Sequence, residues 1–198
     1  MHSERLNVLI DQLLRQNQYT YEALDAVSVS SGPGSYTGLR IGVSTAKGLC
    51  FALDIPLLAV DSLLALAHFA KDFWALSHPT PVLYVSMIDA RRMEAFTAIY
   101  DSHLYAIKPI SAEIFDASYL EEIDTEIPVV LLGDAQFKCR DLWVNRSNFV
   151  FSNIEADARG QITPAFQKYQ SGQIENLSYF EPFYLKDFQV GVKKSVSA

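Results

Sequence analysis

Glycine 32, Pro33 and Gly34 stand between an apolar β-branched run (Val27, Val29) and a stretch with helical spacing, Gly38 to Leu53. A second apolar run, Leu57 to Val60, follows. Strand, glycine loop, helix and strand make a βαβ unit, which implies parallel strands. The loop then lies at the carboxyl end of the first strand, where open α/β sheets place ligands. Gly32 and Gly34 let the backbone reach positive φ, and Ser35 or Thr37 is a natural N-cap for the next helix. The unpaired N–H groups of that helix start favour an anion. Arg40 in the first turn adds a mobile positive charge. The chemistry read from Gly32, Gly34, Ser35, Thr37, Gly38 and Arg40 is that of a phosphate or carboxylate cradle, set against the plainer reading of a tight strand-to-helix turn.

Two specific nucleotide motifs can be weighed. A Walker A loop needs Gly-Lys-Ser/Thr, and Lys47 is followed by Gly48 and Leu49. A dinucleotide fingerprint needs G-x-G-x-x-G, and the glycines at 32, 34 and 38 are spaced one residue too wide, although Asp61 ends the next strand where a ribose-binding acid would sit. Elsewhere Asp89 and Arg91 mark a hairpin turn, read as turn-forming rather than ligand-binding. Asp134 after Gly133 reads as a relic of a phosphate turn or as an N-cap. His2, His68, His78 and His103 have no partner at metal-ligand spacing, HExxH is absent, and no G-x-S-x-G elbow exists. A metal site and a serine or zinc protease are therefore not expected. Ser35 has no histidine nearby in sequence to activate it.

The elements that carry these residues follow from periodicity. Residues 3–17 form an amphipathic helix with Leu6, Leu9, Ile10, Leu13 and Leu14 on one stripe and Val8 off it; Ser3 is its expected cap. The second helix spans 38–53, with Gly38, Gly42 and Gly48 expected where a helix or the sheet comes close. Ser62 is expected to cap a third helix. Residues 76–81 read as a link between lobes. Strands are expected at 81–88, 94–100, 104–109, 127–132 and 149–151, with a helix at 162–170 and a tail beyond it.

The run GPGSYTGLRIGVSTAKGL resembles the signature of the TsaB (YeaZ) family. A second match, IDARRMEAFTAIYD at 88–101, is similar to that family's Ile-Asp-Ala-Arg segment, and EPFYLKD at 181–187 resembles its Pro-x-Tyr-Leu-Arg ending. The resemblance implies an α/β, actin-like fold of two ribonuclease-H-like lobes, divided here as 1–78 and 79–198. Family members begin with a β-hairpin and a further strand. Here Met1 directly precedes the first helix, so the first lobe is expected to be incomplete at its start, with an exposed strand edge.

The resemblance further implies a non-catalytic scaffold in the synthesis of threonylcarbamoyladenosine in tRNA. It would bind a TsaD-like catalytic subunit and support a TsaE-like ATPase, with a homodimer when alone. The catalytic relatives use a His-x-x-x-His metal motif that this chain lacks, and the older glycoprotease label finds no support in its residues. No cofactor is expected to bind tightly, and ATP or ADP has a place only within the complex. A nucleotide-binding ATPase or phosphotransferase on the same fold is the rival reading, and a dinucleotide-binding enzyme a third.

Composition agrees. The net charge of −7 and the lack of a basic stripe speak against direct tRNA binding as the main task. No run approaches the ~18 apolar residues of a membrane span, and no signal peptide is visible at the start. Cys50 and Cys139 form no CxxC, so a reducing, cytoplasmic setting is expected. The surplus apolar residues of the first helix, with the second helix beside it, nominate Leu6, Leu9, Leu13, Leu39 and Val43 as a partner interface.

Overall fold

The computed structural model describes residues 2–74, 81–123 and 126–186. The elements run α1 (His2–Gln16), β1 (Val27–Gly32), α2 (Tyr36–Leu53), β2 (Leu57–Asp61), α3 (Ser62–Trp74), β3 (Leu83–Asp89), β4 (Glu94–Tyr100), β5 (Ala106–Ile114), β6 (Val129–Leu132), α4 (Gln136–Trp143), β7 (Phe149–Phe151) and α5 (Ile162–Gln170), with a 3-10 turn at Ala158–Gln161.

The βαβ unit forms as its sequence implies. β1 and β2 are parallel, with Val27 opposite Leu57 and Val29 opposite Ala59. They make a two-stranded sheet among the described residues. The second sheet has the order β5-β4-β3-β6-β7. Its first three strands are an antiparallel meander, and β6 and β7 join parallel. Three antiparallel strands followed by parallel ones is the ribonuclease-H-like arrangement. β5 is longer than expected and reaches Ile114, because its pairing with β4 continues to Glu94.

Four packing layers position everything else. On one face of the first sheet, Ala46 and Cys50 of α2 pack with Leu57, Val27 and Val29. The opposite face joins Leu58 and Val60 to Ala65 of α3 and Ala165 of α5. In the second sheet, Leu63, Leu66, Ala67 and Ala70 of α3 cover Tyr84, Ala98, Val130 and Leu132. The far face carries Phe115, Cys139, Trp143 and Phe149. Both cysteines are buried and unbonded.

α3 is thus shared by the two sheets. The expected link at 76–81 and the boundary at 78/79 fall mostly outside the described residues. The division also sends residues 158–186 to the second lobe, whereas the chain brings them back to the first sheet. Lys168 Nζ donates to the Ala59 carbonyl at 2.6 Å, and the Glu175 N–H donates to the Leu57 carbonyl at 2.9 Å. Gly160 makes the return possible: a Cβ there would stand 2.0 Å from the Ala65 carbonyl oxygen.

The third helix is capped differently from the expectation. Asp61, not Ser62, caps it, accepting from the N–H groups of Leu63 and Leu64 at 2.7 and 2.8 Å. Ser62 already lies in the helix, and its hydroxyl is 2.7 Å from that of Ser30.

Candidate functional site

Two features qualify as sites: a cleft at the glycine loop and a groove between α1 and α2. The cleft, about 460 Å³, opens where β1, β3 and β6 end, the switch region of such sheets. Its floor is apolar (Leu39, Leu66, Ile88), and its rim holds Gly34 and Ser35 on one side with Asp134, Glu155 and Asp157 on the other.

Ser35 is the N-cap of α2, accepting from the Gly38 N–H at 3.3 Å. Thr37 lies inside the helix. Gly32 needs to be glycine. Its φ is +111°, and a Cβ would meet the Phe183 carbonyl oxygen at 2.6 Å. Gly34 has open space around that position. The expectation of close approach at the helix glycines holds only in part. Gly42 faces Val29 at ordinary contact distance, Gly38 meets only its own cap Ser35, and Gly48 meets nothing within 4 Å.

Arg40 is not the mobile charge expected at the cradle. Its Nε donates to the Tyr184 hydroxyl at 3.2 Å, and its guanidinium lies 4.3 Å over the Tyr36 ring, which stacks against Tyr184 at 4.8 Å. The chain that brings Tyr184 there is a non-helical strap. The Phe183 N–H donates to Ser31 O at 2.7 Å, and Lys47 Nζ donates to Phe180 O at 3.1 Å. Only the EPFYLKD motif signalled this segment, since an extended strap has no periodicity to read.

The acidic rim is committed locally. The Arg159 guanidinium donates to both carboxylate oxygens of Asp157 and holds that carboxyl at about 2, below the ordinary value. Asp134 does not cap α4, whose N-cap is Ala135; its Oδ1 accepts the Asp89 N–H at 2.8 Å. Gly133, at φ +88°, lets that turn pass within reach of the Met87 carbonyl. Asp89 organises its hairpin as expected, accepting the Arg91 N–H and the Lys138 ammonium, each at 2.6 Å. Burial alone would raise its carboxyl, but the Lys138 hydrogen bond and the Arg91 N–H outweigh that and lower it. Asp61 goes the other way: burial lifts its carboxyl despite two N–H donors and nearby Lys168. As the cap of α3 it is not placed as a ribose-binding acid.

These residues do not fit a tightly held nucleotide. Asp134, Glu155 and Asp157 line the cleft, no lysine or arginine does so among the described residues, and Arg40 is engaged by Tyr184 and Tyr36. No group of three or more metal-ligating side chains occurs among the described residues.

The second feature is an apolar groove of about 450 Å³ lined by Arg5, Leu6, Leu9, Gly38, Ile41 and Gly42. On α1, Val8, Leu9 and Leu13 are 53%, 50% and 61% exposed, and Leu6 is half-buried. Leu39 and Val43, nominated with them from the sequence, are corrected here. Both are buried, at 9% and 4% exposure, because α2 turns them toward the interior. The α2 residues that border the groove are instead Gly38, Ile41 and Gly42. The signal for this was available: positions 39, 43, 46 and 50 form the one helical stripe that a sheet-covering helix must bury.

Fold and cleft together define an actin-like, ribonuclease-H-like α/β protein whose cleft is lined by no lysine or arginine among the described residues. The comparisons make this specific. The family model of TsaD, tRNA N6-adenosine threonylcarbamoyltransferase, matches residues 1–192. The chain is 35% identical over 135 residues to the tRNA threonylcarbamoyladenosine biosynthesis protein TsaB of Bacillus subtilis, covering 67% of this chain and 56% of that protein. It is 33% identical over 95 residues to TsaB of Haemophilus influenzae, covering 48% and 38%. YeaZ from Pseudomonas aeruginosa shares the fold at a TM-score of 0.77 and 23% identity, over 93% of this chain and 84% of that one. The chain belongs to the TsaD family, in its TsaB (YeaZ) group. It spans about half the length of the curated relatives it matches. No helix among the described residues is long and apolar enough to cross a membrane.

Proposed function

We propose that this chain is a non-catalytic scaffold in the synthesis of threonylcarbamoyladenosine in tRNA, docking a TsaD-like transferase through α1 and the flank of α2. The observation that carries the reading is the bare apolar face of α1, Val8, Leu9 and Leu13, beside the groove floored by Gly38 and Gly42. A helix with so much apolar surface outside the core is an association surface. Gly38, Ile41 and Gly42 form the α2 side of that groove. Leu6, Leu9 and Leu13 are the contact residues on α1. Gly32, Gly34, Ser35, Thr37 and Gly38 shape the turn that aims α2, and the acidic rim disfavours a phosphate ligand in the free chain.

In this reading the transferase carries the chemistry and holds the tRNA. A TsaE-like ATPase joins the assembled pair, and the chain alone covers the same face by forming a homodimer. A cytoplasmic location goes with that work.

Size-exclusion chromatography with light scattering tests it, using this chain alone and mixed with the transferase homologue of the same organism. A 1:1 complex formed at the expense of a homodimer, and lost in Leu9→Glu, is the expected result. Absence of a complex with the wild-type chain would overturn the reading.

A further inference from the structure

The β3–β4 hairpin ends in two adjacent arginines, Arg91 and Arg92, both at left-handed φ values of 75° and 52°. That region is costly for a side chain with a Cβ, and asparagine or glycine is its usual occupant. Strain of this kind, where the surroundings hold it in place, points to use. Here the surroundings do hold it. Asp89 Oδ1 accepts the Arg91 N–H, Lys138 clamps the same oxygen, and the Phe115 N–H donates to Met93 O at 2.9 Å.

Neither guanidinium hydrogen-bonds to that frame; that of Arg91 acts on Asp89 only through its charge. Both side chains are exposed and make no hydrogen bond or ion pair among the described residues. Five other arginines are engaged, Arg15 and Arg159 with carboxylates and Arg40, Arg140 and Arg146 over aromatic rings, while Arg5 borders the α1 groove. The nearby carboxylates are also occupied, Asp89 by Lys138 and Glu94 by Lys186. Asp89 is shared between Lys138 and the charge of Arg91, so the tip keeps a net positive charge on a chain of net charge −7. Beside it Met93 is 40% exposed.

We propose that Arg91 and Arg92 dock an acidic surface of a protein partner. Arginine and methionine side by side are the composition of a protein interface, and an arginine fork suits carboxylates. An RNA backbone is the weaker match, because affinity for it comes from many phosphate contacts and this tip offers two cations. The tip belongs to the second sheet and α1 packs on α2 of the first, so it is a second contact. Assigning its partner as the transferase rests on the scaffold reading above.

The test is the double variant Arg91→Asn/Arg92→Gly, which suits the left-handed backbone and removes the charge. Its melting temperature is expected to equal or exceed that of the wild type. Its affinity for the transferase homologue is expected to fall about tenfold or more at low salt, with a flatter salt dependence. Arg91→Lys/Arg92→Lys keeps the charge and retains most of the binding. Unchanged affinity and salt dependence in the Asn/Gly variant overturn the proposal, as does a loss confined to tRNA binding. If the wild-type chain binds no transferase, the scaffold reading falls, and titration with an oligo-glutamate peptide decides this one separately. Arg91 and Arg92 Nε–Hε resonances that move ahead of those of Arg15 and Arg140 support it, and equal movement overturns it.

Discussion

Replacing Val8, Leu9 and Leu13 together by alanine removes the apolar surface that α1 leaves uncovered. Each of the three is roughly half exposed, at 53%, 50% and 61%. Full burial of such side chains stabilises by about 1.5–3 kcal/mol, so the uncovered half of each can contribute about 1 kcal/mol to a partner. Summed, that is about 3 kcal/mol, or somewhat over a hundredfold in Kd. Immobilising the side chains offsets part of it, and a loss of at least about tenfold is expected. Isothermal titration against the transferase homologue measures it. Because the side chains are exposed, stability in urea should stay within about 0.5 kcal/mol of wild type. Leu39→Ala is the internal contrast. Its side chain is buried, so it should cost about 2–5 kcal/mol of stability and leave the affinity of the folded fraction alone. A triple variant that binds within twofold of wild type would refute the reasoning, and so would a Leu39→Ala protein of full stability and lost affinity.

Other expectations follow from individual contacts. Gly160→Ala places a Cβ 2.0 Å from the Ala65 carbonyl oxygen, at a φ that alanine tolerates, so the cost is steric. About 1–3 kcal/mol is expected by urea denaturation, with a melting temperature lower by about 2–4 °C per kcal/mol. Asp157, held at about 2 by Arg159, contributes stability above its ordinary value of 3.8 that is lost as pH falls through about 2. In Arg159→Ala, carboxyl NMR should find the Asp157 titration back near that ordinary value. Asp61 has the opposite sign: its raised carboxyl favours the fold at low pH and withdraws that contribution as pH climbs through the folded value. In Asp61→Asn that part of the pH dependence should disappear from the urea midpoint, and its persistence would remove Asp61 as the cause.

Local patterns were legible wherever one face had to be buried. The βαβ unit, the meander and the short β7 were all readable from spacing, since burying a face imposes a period on the chain; the α1 stripe was equally periodic, although Leu9 and Leu13 stay exposed. Cap identity was less legible. Asp61 and Ser62 are adjacent and both are good caps, and the choice depends on Ser30 occupying the Ser62 hydroxyl. The interface was half legible: α1 carries more leucine than one contact needs, but Leu39 and Val43 look the same in sequence whether they face a sheet or a partner. The Arg40 clasp could not be read at all. Its other half, Tyr184, stands 144 residues away. The acidic character of the cleft rim likewise arises from two separate segments, around Asp134 and at 155–157, that only the fold assembles.

The return of α5 to the first sheet has a consequence for biosynthesis. The contact between Lys168 and Ala59 spans 109 residues of chain. During translation, β1, β2 and α3 emerge in turn, and the Leu58 and Val60 face, covered by Ala65, lacks its Ala165 cover until α5 has left the ribosome. At about 5–20 residues per second, that delay is on the order of 5–20 s. The first sheet therefore depends on the last helix to be made. Nascent chains arrested before Ala165 should engage chaperones or aggregate, whereas those released after Lys186 can close both sheets. For this protein the ribosome's progress, more than the local preferences of the first sixty residues, sets when the scaffold's first half becomes native.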